Sequence, residues 1–201
     1  QIEWNLDNSP GWSMQGEWRF DQPTGQGGGH GYPDPTSGYT GTNVYGINLN
    51  GNYAIDELVG MNYLTAGPIN LTGMALVNLK FRRWLNSDFE PYVYTTVEVS
   101  NNGTNWTRVW SIGDSEVVED AWSLQSYDIG SVADNQPNVY IRWGHGVINF
   151  GAVAFSGWNI DDIQIWGVAS QEPRHTLNVG AVGQGSVALN PTGPIYPEGT
   201  T

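Results

Sequence analysis

Two adjacent carboxylates, Asp161 and Asp162, are the strongest candidates for metal chemistry in this sequence. Around them the alternation of apolar residues changes phase, because Ile163 and Ile165 share one parity and Ile160 has the other. A β-bulge is the economical explanation, since one extra residue reverses which side of the strand each side chain faces. The same bulge allows both carboxylates to point to one side.

Further oxygen ligands lie in a Gly- and Pro-rich loop over residues 23–42 and at its end, where Asp34, Thr40 and Asn43 occur. Ca²⁺ prefers six to eight oxygen ligands from carboxylates, amides and carbonyls. If the loop folds back on the last strand, a structural Ca²⁺ site is expected. Its predicted ligands are Asp34, Asn43, Asp161 and Asp162. The alternative is that both adjacent carboxylates cap turns or accept backbone N–H bonds.

A second candidate site consists of aromatic side chains that can stack on sugar rings. The chain has ten Trp and ten Tyr residues, more than a core of this size needs. Those near predicted strand ends or on polar faces, with two scarce arginines, form the predicted ligand-binding set: Trp84, Tyr92, Tyr94, Trp106, Arg82 and Arg142. The alternative is that the tryptophans belong to the core. Each arginine would then pair with Glu98 or Asp128 on a neighbouring strand.

Catalytic patterns are not found in the sequence. It has no cysteine nucleophile and no Gly-x-Ser-x-Gly motif, and its three histidines, His30, His145 and His175, lack zinc-ligand spacing. We therefore predict that the chain is not an enzyme.

The composition favours strands and argues against several partners. Only 13% of residues are charged, Gly is abundant, and no long window has helical periodicity. The formal net charge of −13 disfavours nucleic acid, whose phosphates are neutralised by Lys and Arg, and it disfavours anionic membrane surfaces. No apolar run is long enough to span a membrane.

Alternating patterns position the candidate residues on strands. In residues 77–81, 92–100 and 139–143, valine, leucine and isoleucine alternate with polar side chains, which is typical of strands with one buried face. Strands are also expected over 2–6, 16–20, 44–53, 106–112 and 158–168. This spacing predicts an all-β, two-sheet antiparallel jelly-roll sandwich over residues 1–168.

The C-terminal residues form a separate pattern. Residues 169–174 are expected to be a linker. Residues 175–201 are expected to form a short β-hairpin extension or partial β-repeat, with strands near 176–179 and 185–189. We expect the chain to be part of a longer polypeptide.

The run GTNVYG at residues 41–46 and the run GWNIDDI at residues 157–163 resemble bacterial MAM-like, cleaved-adhesin-type jelly-roll modules. Residues 175–201 resemble the start of a divergent internalin-type repeat. The resemblance implies a β-sandwich without an active site, serving in adhesion or in carbohydrate or protein binding. It also implies that a structural calcium ion is common in such modules.

Together these observations predict a non-catalytic extracellular or cell-surface recognition module that binds a glycan or a protein surface. The alternative is a structural subunit of a filament or surface layer, which self-assembles when its C-terminal strands join a neighbouring chain.

Overall fold

The structure, a computed structural model, describes residues 1–170, 174–176, 183 and 195–197. The chain divides into two compact units, Gln1–Val168 and Ala169–Thr201. In the described residues the strands are β1 (Ile2–Trp4), β2 (Ser13–Met14), β3 (Trp18–Asp21), β4 (Val44–Ile47), β5 (Asn62–Ile69), β6 (Met74–Ser87), β7 (Val93–Ser100), β8 (Thr107–Ser111), β9 (Val117–Val118), β10 (Ser123–Asp128), β11 (Val139–Val147), β12 (Gly157–Ala169), β13 (Arg174–Thr176) and β14 (Ile195–Pro197). The helix α1 spans Gly130–Ala133.

The first unit is a sandwich of two antiparallel sheets, which confirms the predicted fold class. One sheet has seven strands in the order β10-β6-β12-β4-β3, with β1 paired to β12 and β9 paired to β6. The other has five strands in the order β2-β5-β11-β7-β8.

The alternation predicted for the central strands is confirmed. On β7, Val97 and Val99 are fully buried between the sheets, and on β11, Ile141 and Trp143 are fully buried opposite them. Side chains alternate along a strand, so the residues between these four face outward. The apolar core therefore decides which side chains remain for a ligand.

The phase change on β12 is also confirmed. Ile160 and Ile163 are both fully buried although they differ in parity. Between them Asp162 has a φ of 47°, in the left-handed region that few residues other than glycine adopt. One residue in this conformation reverses the facing of the strand, so that Ile163 and Ile165 return to the core.

The strands differ from the sequence-based expectations in two ways. The strand expected over 44–53 ends at Ile47, because Asn48 has a φ of 41° and leaves the extended conformation. The strands β2, β5, β9 and β10 were not expected at all.

In the C-terminal unit, Arg174–Thr176 pairs antiparallel with Ile195–Pro197. The strands expected near 176–179 and 185–189 lie outside the described residues, except for Thr176. The internalin-type repeat and assembly through C-terminal strands therefore stay predictions.

Candidate functional site

A long loop between β3 and β4, residues 22–43, covers part of the outward face of the seven-stranded sheet. Asn159 and Asp161 face outward on β12 and are nevertheless completely buried. The loop supplies their partners: Asn159 donates from Nδ2 to Asp34 Oδ1 over 2.7 Å, and the Thr40 amide donates to Asp161 Oδ2 over 3.1 Å. A polar face of the sheet is thereby turned into a buried polar interior.

Around Asp161 the loop brings several oxygen atoms together. Thr40 donates from its hydroxyl to Asp162 Oδ1 over 2.6 Å, while Asp161 Oδ1 accepts the amide of Asp162 over 2.8 Å. A Cβ placed on Gly38 would lie 2.7 Å from Asp161 Oδ2 and 2.9 Å from the Asn43 carbonyl oxygen, and would also contact the Thr40 carbonyl. Three of the predicted metal ligands, Asn43, Asp161 and Asp162, thus lie near one another.

The fourth predicted ligand, Asp34, contacts Asn159, which lies two residues before Asp161 on β12. Its Oδ1 accepts the Asn159 amide, while Oδ2 and the Asn159 Oδ1 are buried without a hydrogen-bond partner among the described residues. Burial raises the pKa of the Asp34 carboxyl to about 7, and the Asn159 hydrogen bond lowers it in part. Burial likewise raises the pKa of Asp161 to about 7, against the hydrogen bonds of Asp162 and Thr40.

The oxygen atoms around Gly38 are of the chemical types that bind a hard cation. Carboxylate and backbone carbonyl oxygens are the ligands that Ca²⁺ prefers. Among the described residues, however, no group of three or more His, Cys, Asp or Glu side chains gathers as a metal site. A cation here would depend on the carbonyl oxygens of Thr40 and Asn43 as much as on Asp161.

The outward face of the five-stranded sheet carries a stack of aromatic rings and guanidinium groups. Arg142 lies between the buried Ile141 and Trp143 on β11, so its side chain points away from the core. Its guanidinium carbon lies 3.8 Å from the ring centroid of Tyr63 on β5 and 4.0 Å from that of Trp106, which directly precedes β8. Contacts of this kind hold both half-buried rings in place.

An ion-pair cluster fixes the arginine. Arg142 donates from Nε to Glu98 Oε2 over 2.6 Å, and its Nη2 lies 2.6 Å from the same oxygen. The other carboxylate oxygen of Glu98 lies 3.5 Å from Nε of Arg108. Burial raises the pKa of the Tyr63 hydroxyl, and the charges that act on it are those of Arg142, Glu98 and Arg108.

Beside this stack the central strand has no side chain at Gly144. A Cβ there would lie 2.7 Å from Met61 Cε, from Tyr63 Cε1 and from Thr96 Oγ1. The Thr96 hydroxyl is completely buried and has no partner among the described residues. The outward face thus contains an unpaired hydroxyl beneath a flexible methionine side chain.

Comparisons with known proteins identify the fold. The structure is similar to SGBP-B from a complex xyloglucan utilization locus in Bacteroides uniformis, with a TM-score of 0.51 and 12% identity over 82% of this chain and 49% of that chain. It also matches the CBM22-1 xylan-binding domain of Paenibacillus barcinonensis Xyn10C, with a TM-score of 0.49 and 14% identity over 85% of this chain and 95% of that one.

A third match is the K3 cleaved adhesin domain of Lys-gingipain from Porphyromonas gingivalis, with a TM-score of 0.41 and 14% identity over 75% of this chain and 92% of that one. No protein-family model matches the sequence, and no curated protein matches it significantly. At 12% identity the likeness to SGBP-B is one of fold alone.

The predicted ligand-binding set divides between the two sheets. Trp106, Arg142 and Tyr94 belong to the outward face of the five-stranded sheet, where Tyr94 lies opposite Gly146. Tyr92 precedes β7 and packs edge-on against Phe89 with ring centroids 5.7 Å apart.

The remaining two residues of the set lie on β6 in the seven-stranded sheet. The Arg82 guanidinium carbon is 3.9 Å from the Tyr39 ring centroid, and Trp84 donates to the Pro33 carbonyl over 3.1 Å. Both therefore contact the covering loop, and they do not join the Arg142 stack.

Three residues of this face were missed from the sequence: Tyr63, Thr96 and Arg108. Tyr63 lies on β5, where the buried Leu64 and Ala66 alternate with outward residues, a short signal that predicts a strand. Arg108 becomes relevant only through its ion pair with Glu98 on the neighbouring strand β7, and Thr96 only through its place beside Gly144 on β11.

Two histidines of the first unit, His30 and His145, lie apart from this face. His145 is 5% exposed and faces the core side of β11, with its ring centroid 4.7 Å from that of Tyr53. His30 lies in the loop against Phe155. Within the described part of the chain, no helix is long and apolar enough to cross a membrane.

Proposed function

We propose that this protein is a non-catalytic glycan-binding module of a larger extracellular or cell-surface protein, and that a sugar chain binds on the outward face of the five-stranded sheet. The observation that carries the proposal is the stack of Tyr63 and Trp106 on Arg142. Rings held in place before binding lose little conformational freedom when a ligand arrives, which favours affinity.

Polar groups beside the rings suit the hydroxyl groups of a sugar. Arg108 can donate hydrogen bonds from a side chain that is 50% exposed, and Glu98 holds both Arg108 and Arg142 beside the rings. A few polar groups around an apolar platform are typical of small-ligand sites. The matched solved structures include a xylan-binding domain and a protein from a xyloglucan utilization locus, and this supports trying those polymers first.

The test compares two tryptophans that lie on opposite sheets. Affinity electrophoresis in gels that contain xyloglucan, xylan or β-1,4-galactan measures binding by the unmodified chain, by Trp106→Ala and by Trp166→Ala. Trp166 is the matched control, because it is 42% exposed on β12 of the other sheet. We expect Trp106→Ala to weaken binding by about tenfold or more, as loss of a central aromatic does at binding sites.

Trp166→Ala is expected to bind like the unmodified chain. Equal loss in both variants would contradict the assignment of the site to the five-stranded sheet. Failure to bind any glycan, neutral or acidic, would contradict glycan binding itself. Near-ultraviolet circular dichroism checks that both variants keep their packing.

We also propose a structural Ca²⁺ held by Asp161 with the carbonyl oxygens of Thr40 and Asn43. The convergence of these oxygens beside Gly38 supports this proposal. When bound, the ion would neutralise the buried carboxylate and tie the loop to β12.

A further inference from the structure

The charges on the outward face of the five-stranded sheet differ in sign from those of the whole chain. The chain has 20 Asp and Glu residues against 7 Lys and Arg. In the cluster at the aromatic stack, two arginines, Arg108 and Arg142, face one carboxylate, Glu98. The cluster therefore carries a net charge of +1 in a strongly acidic chain.

The two arginines are used differently. Arg142 has both of its contacts to Glu98 at 2.6 Å and is covered by two rings, so that its side chain is 20% exposed. Arg108 is 50% exposed, and its one ion pair, at 3.5 Å, is longer than an ordinary hydrogen bond. The hydrogen bonds of the described residues include none from Arg108, so its five N–H donors remain available.

The segment that contains Asp56 and Glu57 and ends at Gly60 reaches this sheet at Gly146, towards one end of β11. The carbonyl oxygen of Gly60 packs against Gly146, so closely that a Cβ added to Gly146 would clash with it. Gly146 is four residues from Arg142 along β11, which corresponds to about 13 Å in a strand. The charges that shift the pKa of the Tyr63 hydroxyl are those of Arg142, Glu98 and Arg108. Asp56 and Glu57 are not among them.

We propose that the sugar bound at this face is acidic, and that its carboxylate is recognised by Arg108 while a ring of the chain packs on Trp106. This inference rests on the proposed function, since it names the class of glycan for the same site. A planar guanidinium matches a carboxylate through two parallel hydrogen bonds. Arg108 and the half-buried ring of Trp106 belong to the same cluster, since Arg108 pairs with Glu98 and Trp106 stacks on Arg142, which also pairs with Glu98.

The experiment uses matched pairs of acidic and neutral ligands. Oligosaccharides of glucuronoxylan, polygalacturonate and alginate are each compared with the same material after reduction of its carboxyl groups to alcohols. Binding to the whole chain is measured by isothermal titration calorimetry. Short oligosaccharides limit the general repulsion between a polyanion and a protein of net charge −13.

We expect the acidic form of at least one pair to bind about fivefold tighter than its reduced form, the size of an exposed ion pair. Arg108→Gln should remove this preference without abolishing binding of the reduced form, and Arg108→Lys should keep most of it. Arg19→Gln is the matched control, because Arg19 is an exposed arginine on β3 of the other sheet.

The possible failures are distinguishable. Equal binding of acidic and reduced forms, or a preference that persists in Arg108→Gln, would overturn the inference and leave glycan binding intact. Binding of neutral xylan, xyloglucan or galactan without binding of any acidic oligosaccharide would do the same. If none of the glycans binds, both the inference and the proposed function are overturned.

Discussion

The outward faces of the two sheets start from the same alternation of side chains and differ in what lies above them. On the seven-stranded sheet, residues 22–43 bury Asn159 and Asp161 and give them hydrogen-bond partners. On the five-stranded sheet, Arg142 and Arg108 share Glu98 and leave rings and donors at the surface.

This difference separates polar residues that hold the fold from polar residues that can meet a ligand. Groups that are fully buried and hydrogen-bonded stabilise one arrangement of loop and strand, and a ligand as large as a sugar chain cannot contact them while the loop is in place. Half-exposed rings and an arginine without a hydrogen bond among the described residues can change partner at little cost. The loop, more than the strand pattern, therefore decides which face is a candidate site.

The largest effect expected from this comparison is stabilisation of the loop-covered face by Ca²⁺. At free Ca²⁺ about 100-fold above its dissociation constant, binding to the folded state alone adds about 2.7 kcal/mol to the free energy of unfolding. For a chain of this size the melting temperature should rise by about 5–10 °C relative to EDTA. Differential scanning calorimetry measures the change.

Two variants make this prediction specific. Asp161→Asn should remove the Ca²⁺-dependent rise, whereas Asp56→Asn, in an exposed segment before Gly60, should keep it. A melting temperature that is identical in Ca²⁺ and in EDTA would refute the site.

A smaller effect is expected from adding one methyl group on each face. Gly38→Ala places a Cβ 2.7 Å from Asp161 Oδ2 and 2.9 Å from the Asn43 carbonyl oxygen, where backbone atoms cannot easily move. The free energy of unfolding should fall by about 2 kcal/mol, as overpacking of a filled site does. Urea denaturation measures the loss.

Gly144→Ala should be less destabilising, since the end of the flexible Met61 side chain can give way. It should instead weaken glycan binding, because Tyr63 must shift with it. Gly29→Ala is the control, since its nearest neighbour would be 3.9 Å away. A loss in Gly38→Ala no greater than in this control would count against a rigid loop contact.

The sequence predicts much of the scaffold and less of the sites. The alternation of Val97 and Val99 with Glu98 is sufficient to orient β7, and the phase change at Asp162 is visible from the isoleucines around it. These signals are local, because they depend on side chains within one strand.

The sites depend on contacts between distant residues, which local patterns do not contain. The Thr40 amide reaches Asp161 across 121 positions, and Asn159 reaches Asp34 across 125. Residue type is also insufficient for the aromatics, since Trp143 is fully buried while Trp106 is only half-buried. Tyr63 was missed because its strand, β5, was not expected.

Over a single pH unit, the smallest effect expected is a pH dependence of opposite sign in the two regions. Burial lowers the pKa of His145, under the five-stranded sheet, to about 4. The unfolded chain, with a pKa near 6.5, therefore binds the proton first, and this contribution to stability is lost as the pH falls from 6.5 towards 4. Burial raises the pKa of Asp34, in the loop, from 3.8 to about 7. Here the folded chain binds the proton first, and stability is lost as the pH rises through that range.

The measurement is the free energy of unfolding in urea at several pH values between 4 and 6.5, in EDTA, for the unmodified chain, His145→Gln and Asp34→Asn. The difference between the unmodified chain and each variant should change by up to about 1.4 kcal/mol per pH unit. It should favour the unmodified chain with rising pH for His145→Gln and with falling pH for Asp34→Asn. A loss of packing in the variant that is the same at every pH changes the size of this difference but leaves its slope unaltered. Slopes of the same sign would show that the loop and the core do not bury these two groups in the way the structure indicates.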